Sequence, residues 1–129
     1  MDQTFDERLE RGVALFNEGA FFEAHEVWED AWRVAAGDDR RFLQGLIQIA
    51  AGFVKLQRGQ PRGMLMLLDQ GAAKLQGLPV SGWGVEIGVL LEEVAAWRAA
   101  AARMLETGVT TCEAGALPRL RLRRDGRRP

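Results

Sequence analysis

The sequence predicts an all-α, single-domain bundle of about five helices with a buried central third helix. Three observations carry that expectation. Apolar residues recur at helical spacing through most of the 129-residue chain. Turn and cap residues punctuate it at Asn17-Glu18-Gly19, Gly37-Asp38-Asp39, Gly59-Gln60-Pro61 and residues 77–84. No alternating strand pattern competes until Leu120-Arg121-Leu122-Arg123. A chain this long buries one core and is too short for two comfortable ones.

The first helix is expected from about Phe5 to Glu18, where Phe5, Leu9, Val13 and Phe16 share a face. Thr4 followed three residues later by Glu7 reads as a capping box, and Gly19 suits the left-handed residue that ends a helix. A second helix follows from Phe21 toward Gly37, and so short a link implies an antiparallel pair. Placed at 100° per residue, Phe21, Ala24, Val27, Trp28, Ala31, Trp32 and Ala35 fall on one apolar arc. Glu23, Glu26 and Asp30 fall opposite. His25 and Glu29 share a stripe on the border, beside Trp32 and Phe21.

Gly37-Asp38-Asp39 reads as a turn and N-cap opening a third helix, about Arg40 to Arg58. Phe42, Leu43, Leu46, Ile47, Ile49, Phe53, Val54 and Leu56 wrap nearly its whole circumference, which marks it as the central one. Its polar strip is Gln44, Gln48 and Lys55. Gly45 and Gly52 would admit a neighbouring helix closely on that side and leave room beside Gln48. Pro61 suits the first turn of a fourth helix ending near Gln76-Gly77. A fifth is expected from about Val85 to Leu105, stopped by Gly108.

Composition narrows the function classes. Hydrophobic content of 47% and charged content of 27% suit a soluble globular protein. No apolar run is long enough to span a bilayer, and Met1-Asp2-Gln3-Thr4 lacks the basic and apolar start of a signal peptide. A lone cysteine, Cys112, fits a reducing compartment, so a cytoplasmic protein is expected. Charge is unevenly spread. Residues 117–129 hold Arg119, Arg121, Arg123, Arg124, Arg127 and Arg128 against Asp125, a local +5; with a net −1 for the chain, the rest carries −6. The chain therefore divides into a helical domain, 1–116, and a basic, partly extended or disordered tail, 117–129.

The run Phe16-Asn-Glu-Gly-Ala-Phe-Phe-Glu-Ala-His-Glu-Val-Trp-Glu-Asp-Ala-Trp-Arg33 resembles the signature of a prokaryotic family known as domain of unknown function 309. The resemblance continues through Phe42-Leu-Gln-Gly-Leu-Ile-Gln-Ile-Ala-Ala-Gly52, Lys55-Leu56, Gly59 and Gly63-Met-Leu-Met-Leu-Leu68. It covers about residues 5–76, implies a compact helical fold, and implies that His25, Glu26, Glu29, Trp32, Gln48 and their neighbours form a shared polar cluster. The family's name carries no activity with it.

The candidate site is therefore a cleft between helices two and three. Phe22, His25, Glu26, Glu29 and Trp32 come from the second helix; Gln44, Gln48 and Lys55 face them from the third. Two readings of His25 and Glu29 stay open. A carboxylate beside imidazole orients it, so His25 with Glu29 and Glu26 could perform acid–base or metal-assisted chemistry. Equally, a helix-border histidine bonded to Glu29 or Gln48 could fix packing, since buried polar groups are generally satisfied. One histidine and one cysteine fall short of a di-iron or structural-zinc ligand set, so no metal is expected. Ser81 is the only serine and no phosphate-cradling glycine loop occurs, so no cofactor or orthodox hydrolase is expected.

The leading expectation is a module binding a small molecule or protein at that cleft; an enzyme using His25 is the alternative. A third reading gives Arg119, Arg121, Arg123 and Arg124 contact with nucleic acid, against a solvated tail or one packing Leu117, Leu120 and Leu122 on the body. An uncovered apolar face on helix four or five would argue for a homodimer. No membrane partner is expected.

Overall fold

The structure, a computed structural model, describes residues 4–79, 82–109 and 118–120. Five helices follow in order: α1 (Phe5–Asn17), α2 (Phe21–Val34), α3 (Gly37–Gln57), α4 (Pro61–Leu75) and α5 (Ile87–Thr107). The extensive packing is between sequence neighbours, α1 on α2, α2 on α3, α3 on α4 and α4 on α5. α3 is thus flanked on both sides, and eleven of its 21 residues are buried. The all-α bundle with a buried third helix is what the apolar circumference of that helix requires.

Both helix pairs turn through the same device. The capping box at the start of α1 forms as expected: Thr4 Oγ1 accepts from the Glu7 N–H at 3.1 Å, and the Thr4 N–H donates to Glu7 Oε1 at 3.0 Å. At its end Gly19 takes φ 82°, the Gly19 N–H donates to the Phe16 carbonyl, and the Ala20 N–H reaches back to Leu15 at 2.9 Å. That is a Schellman closure. α3 ends identically, with Gly59 at φ 68° and the Gln60 N–H on the Lys55 carbonyl at 2.9 Å. Gln57 Nε2 then donates to the Gly19 carbonyl at 2.9 Å, joining the two corners.

α3 begins earlier than its sequence suggests. Gly37 has the turn backbone expected of it, at φ 60°, yet is already its first residue, with Ala36 as the N-cap. Asp38 and Asp39 therefore occupy the first turn, where negative charge meets the positive end of the helix dipole. Asp39 Oδ1 also accepts from Trp83 Nε1–H at 2.8 Å, and the Trp83 ring stacks on Phe42 with centroids 4.4 Å apart and planes 4° apart. This pair fastens the α4–α5 connection to α3. α5 starts two residues later than expected, because Val85 is buried in extended backbone after Gly84 at φ 78°.

The core is aromatic at its centre. Phe16, Phe21, Trp28, Phe42 and Phe53 have 1% or less of their surface exposed. Phe16 meets Phe21 edge-on at 4.9 Å, and Trp97 of α5 meets Phe53 edge-on at 5.6 Å. Among the described residues no polar or charged side chain is buried. Glycines set the α3–α4 spacing: a Cβ on Gly71 would stand 2.8 Å from the Gly45 carbonyl oxygen, and one on Gly52 would stand 2.9 Å from Leu68. The expected close approach is present, but leucines fill it and no room is left there. No described helix is long and apolar enough to cross a membrane.

Candidate functional site

α2 has two chemically distinct faces because its apolar residues repeat every three or four positions. Phe21, Ala24, Trp28 and Ala31 are buried, and Trp28 Nε1–H donates to the Leu9 carbonyl of α1 at 3.3 Å. The opposite face carries Phe22, His25, Glu26, Glu29, Asp30 and Arg33, which line one open depression of about 350 Å³.

These side chains are held in a chain of contacts. The Phe22 ring stacks on His25, centroids 6.0 Å apart and planes 26° apart. His25 Nε2 lies 3.2 Å from Glu29 Oε2, and Arg33 binds Glu29 Oε1 at 3.3 Å and Asp30 Oδ1 at 2.9 Å. Spacings of three and four residues on one helix make this ladder possible. His25 is about a quarter exposed, whereas Phe22 is 47% exposed. His25 Nδ1 is buried without a hydrogen-bond partner. Glu26 is exposed at the edge of the depression.

The third helix does not face this ladder. Gln48, expected opposite His25, donates from Nε2 to Gln70 Oε1 of α4 at 3.4 Å. Lys55 lays its stem beside Gly63, whose Cβ would stand 3.2 Å from Lys55 Cδ. Both point to α4, where Gly63 leaves space for the Lys55 stem, so the expected cleft between α2 and α3 is replaced by a face of α2 alone. Gln44 is half-buried and lines no part of the depression. Trp32 is only partly buried, not core, and its ring lies under the Arg40 guanidinium at 3.9 Å, outside the depression.

Chemically, both oxygens of the ladder's carboxylate are engaged. Glu29 uses one oxygen for His25 and the other for Arg33. Among the described residues no three His, Cys, Asp or Glu side chains converge as a metal would need. The arrangement offers a flat aromatic, an imidazole, and paired charges of both signs.

One polar constellation was missed from the sequence. Asn17, which closes α1, uses both atoms of its amide on Leu120: Nδ2 donates to the Leu120 carbonyl at 2.9 Å, and the Leu120 N–H donates to Oδ1 at 2.6 Å. Asn17 stood out only as a turn former, and no spacing rule links positions 103 residues apart. Arg119 beside it is exposed; Cys112, Leu117, Arg121, Leu122, Arg123 and Arg124, with the boundary expected at residue 116, lie outside the described residues.

Comparison with known proteins agrees with the resemblance of the motifs. Residues 9–67 match the family described as Domain of unknown function (DUF309). An uncharacterized protein of Aquifex aeolicus (strain VF5) is 26% identical over 92 residues, 68% of this chain. The match spans 28% of that relative's length.

Proposed function

We infer that this chain, whose residues 9–67 match the family of that description, is a binding module whose recognition face is the outer surface of α2. The observation that carries the reading is Phe22. Its ring is 47% exposed, on a helix whose other aromatics are buried or partly buried, and it rests on an imidazole held by Glu29. A few aromatic anchors carry much of the binding energy at interfaces, since a rigid ring buries much area for little entropy. The depression is open and built from a single helix, which suits a protein or peptide surface better than a small molecule that needs enclosure.

An enzymatic use of His25 finds less support. A general base needs a substrate held within hydrogen-bond reach, and the depression has no second element lining it. The test uses wild-type, Phe22→Ala and His25→Ala proteins as bait in lysate, followed by titration with each purified candidate. A partner whose affinity drops at least about tenfold in both variants, a loss of about 1.4 kcal/mol, while they melt like wild type, supports the reading. Equal binding by all three overturns it.

A further inference from the structure

The contact between Asn17 and Leu120 has the form of recognition rather than of simple packing. Two residues that exchange both an N–H···O and an O···H–N bond form the hydrogen-bonded pair of a β-ladder. Here a side-chain amide plays one strand. Asn17 Nδ2 reaches the Leu120 carbonyl at 2.9 Å while Oδ1 receives the Leu120 N–H at 2.6 Å. The reverse orientation of the amide would set donor against donor, so the pairing also fixes which way it points.

The side chains beside that pair alternate as an extended segment requires. Pro118 and Leu120 are buried, Leu120 to 4% exposure within the main core cluster, and Arg119 between them is exposed. The clamp thus reads a peptide group, the slot reads a leucine, and the basic side chain stays outside. Charge complements this order. Glu18 next to Asn17 is exposed, and the chain before residue 117 carries −6 against +5 after it.

None of these interactions requires the segment to be covalently continuous with the helices. Asn17 lies inside the family-matched residues 9–67, and Leu120 lies outside them.

We propose that Asn17 and the slot around Leu120 form a docking site for an extended peptide presenting a leucine beside basic residues, with residues 118–120 its occupant in cis. A tethered segment acts at an effective concentration on the order of millimolar, so a free peptide meets a site that is already filled. Unseating the resident leucine opens the site.

The probe is a fluorescein-labelled Leu-Pro-Arg-Leu-Arg-Leu peptide, titrated by anisotropy into the full chain, into Leu120→Asp, and into Leu120→Asp combined with Asn17→Ala. Leu120→Asp is expected to bind at least about tenfold more tightly than wild type, because the cis competitor is gone, and the added Asn17→Ala to remove the gain. Equal binding by the two variants, or none by a folded Leu120→Asp protein, overturns the proposal. Should Leu120→Asp fail to fold, amide exchange in the wild-type chain decides: unlabelled peptide in millimolar excess must speed exchange of the Leu120 N–H, and an unchanged rate refutes the site. Phe22 takes no part, so either outcome leaves the α2 face to its own test.

Discussion

The indole of Trp28 occupies the space that a side chain at position 12 would need. A Cβ on Gly12 would stand 2.0 Å from Trp28 Nε1 and 2.4 Å from Cε2. That absence of a side chain is what lets α1 and α2 close on each other while Trp28 Nε1–H donates to the Leu9 carbonyl. Gly12→Ala should therefore lower stability by about 3 kcal/mol despite alanine's better helix propensity, since overpacking a core forces backbone shifts. Combining it with Trp28→Phe, which removes the offending nitrogen, should recover part of that loss in a double-mutant cycle by urea unfolding. Simple additivity of the two losses would show that the helices adjust freely.

Glycines on the α3–α4 contact should rank by what they meet. A methyl at position 71 would approach the Gly45 carbonyl at 2.8 Å and Ile49 Cγ1 at 2.7 Å, the first of which is backbone. A methyl at position 52 meets only the side chain of Leu68 within 3.4 Å. Gly71→Ala should cost about 2–3 kcal/mol. Gly52→Ala should cost about 1 kcal/mol or less, because leucine can rotate and the helix gains propensity. Denaturant midpoints measure both; the reverse order would contradict the packing.

Phe21 and Phe22 are chain neighbours with opposite surroundings, 0% and 47% exposed. Truncating Phe21 to alanine should cost about 3–5 kcal/mol, as for other buried phenylalanines. Truncating Phe22 should change stability by about 0.5 kcal/mol or less. A large destabilisation by Phe22→Ala would make its ring a structural element and remove the basis for a recognition role.

The capping box makes stability at α1 depend on acid. The Thr4 backbone N–H, and secondarily its hydroxyl, hold the Glu7 carboxyl below its ordinary pKa. A depressed folded-state value contributes stability above the unfolded value, and that contribution disappears as pH falls through the folded one. The stability difference between wild type and Glu7→Gln should be constant near neutrality and shrink across the acid limb. Parallel pH profiles for the two proteins would refute this linkage.

Much of the fold was legible in the sequence because local rules agree with tertiary packing there. Thr4 and Glu7 cap α1, Gly19 and Gly108 end helices, and the apolar circumference of α3 predicts its central place. The departures lie at element boundaries and in which neighbour a side chain meets. α3 starts at Gly37, whose φ of 60° is turn backbone, ahead of the expected Arg40, and Val85 is buried ahead of α5 rather than within it. The grouping of His25 with Glu29 and Phe22 follows from helical spacing, whereas Gln48 meets Gln70 of α4 rather than His25. Helical phase places a residue on a face but does not say which helix covers that face. Gly12 carried no signal at all, because only the indole of another helix explains it.

The helices pack mainly on their neighbours in sequence, and this shapes how the chain comes together. Contacts that are close along the chain form quickly, because little loop entropy is lost in making them. The pairing of Asn17 with Leu120 is of the other kind, joining residues 103 apart. By the same reasoning its closure costs more loop entropy, so it belongs late in assembly, after the corners at Gly19 and Gly59 have set.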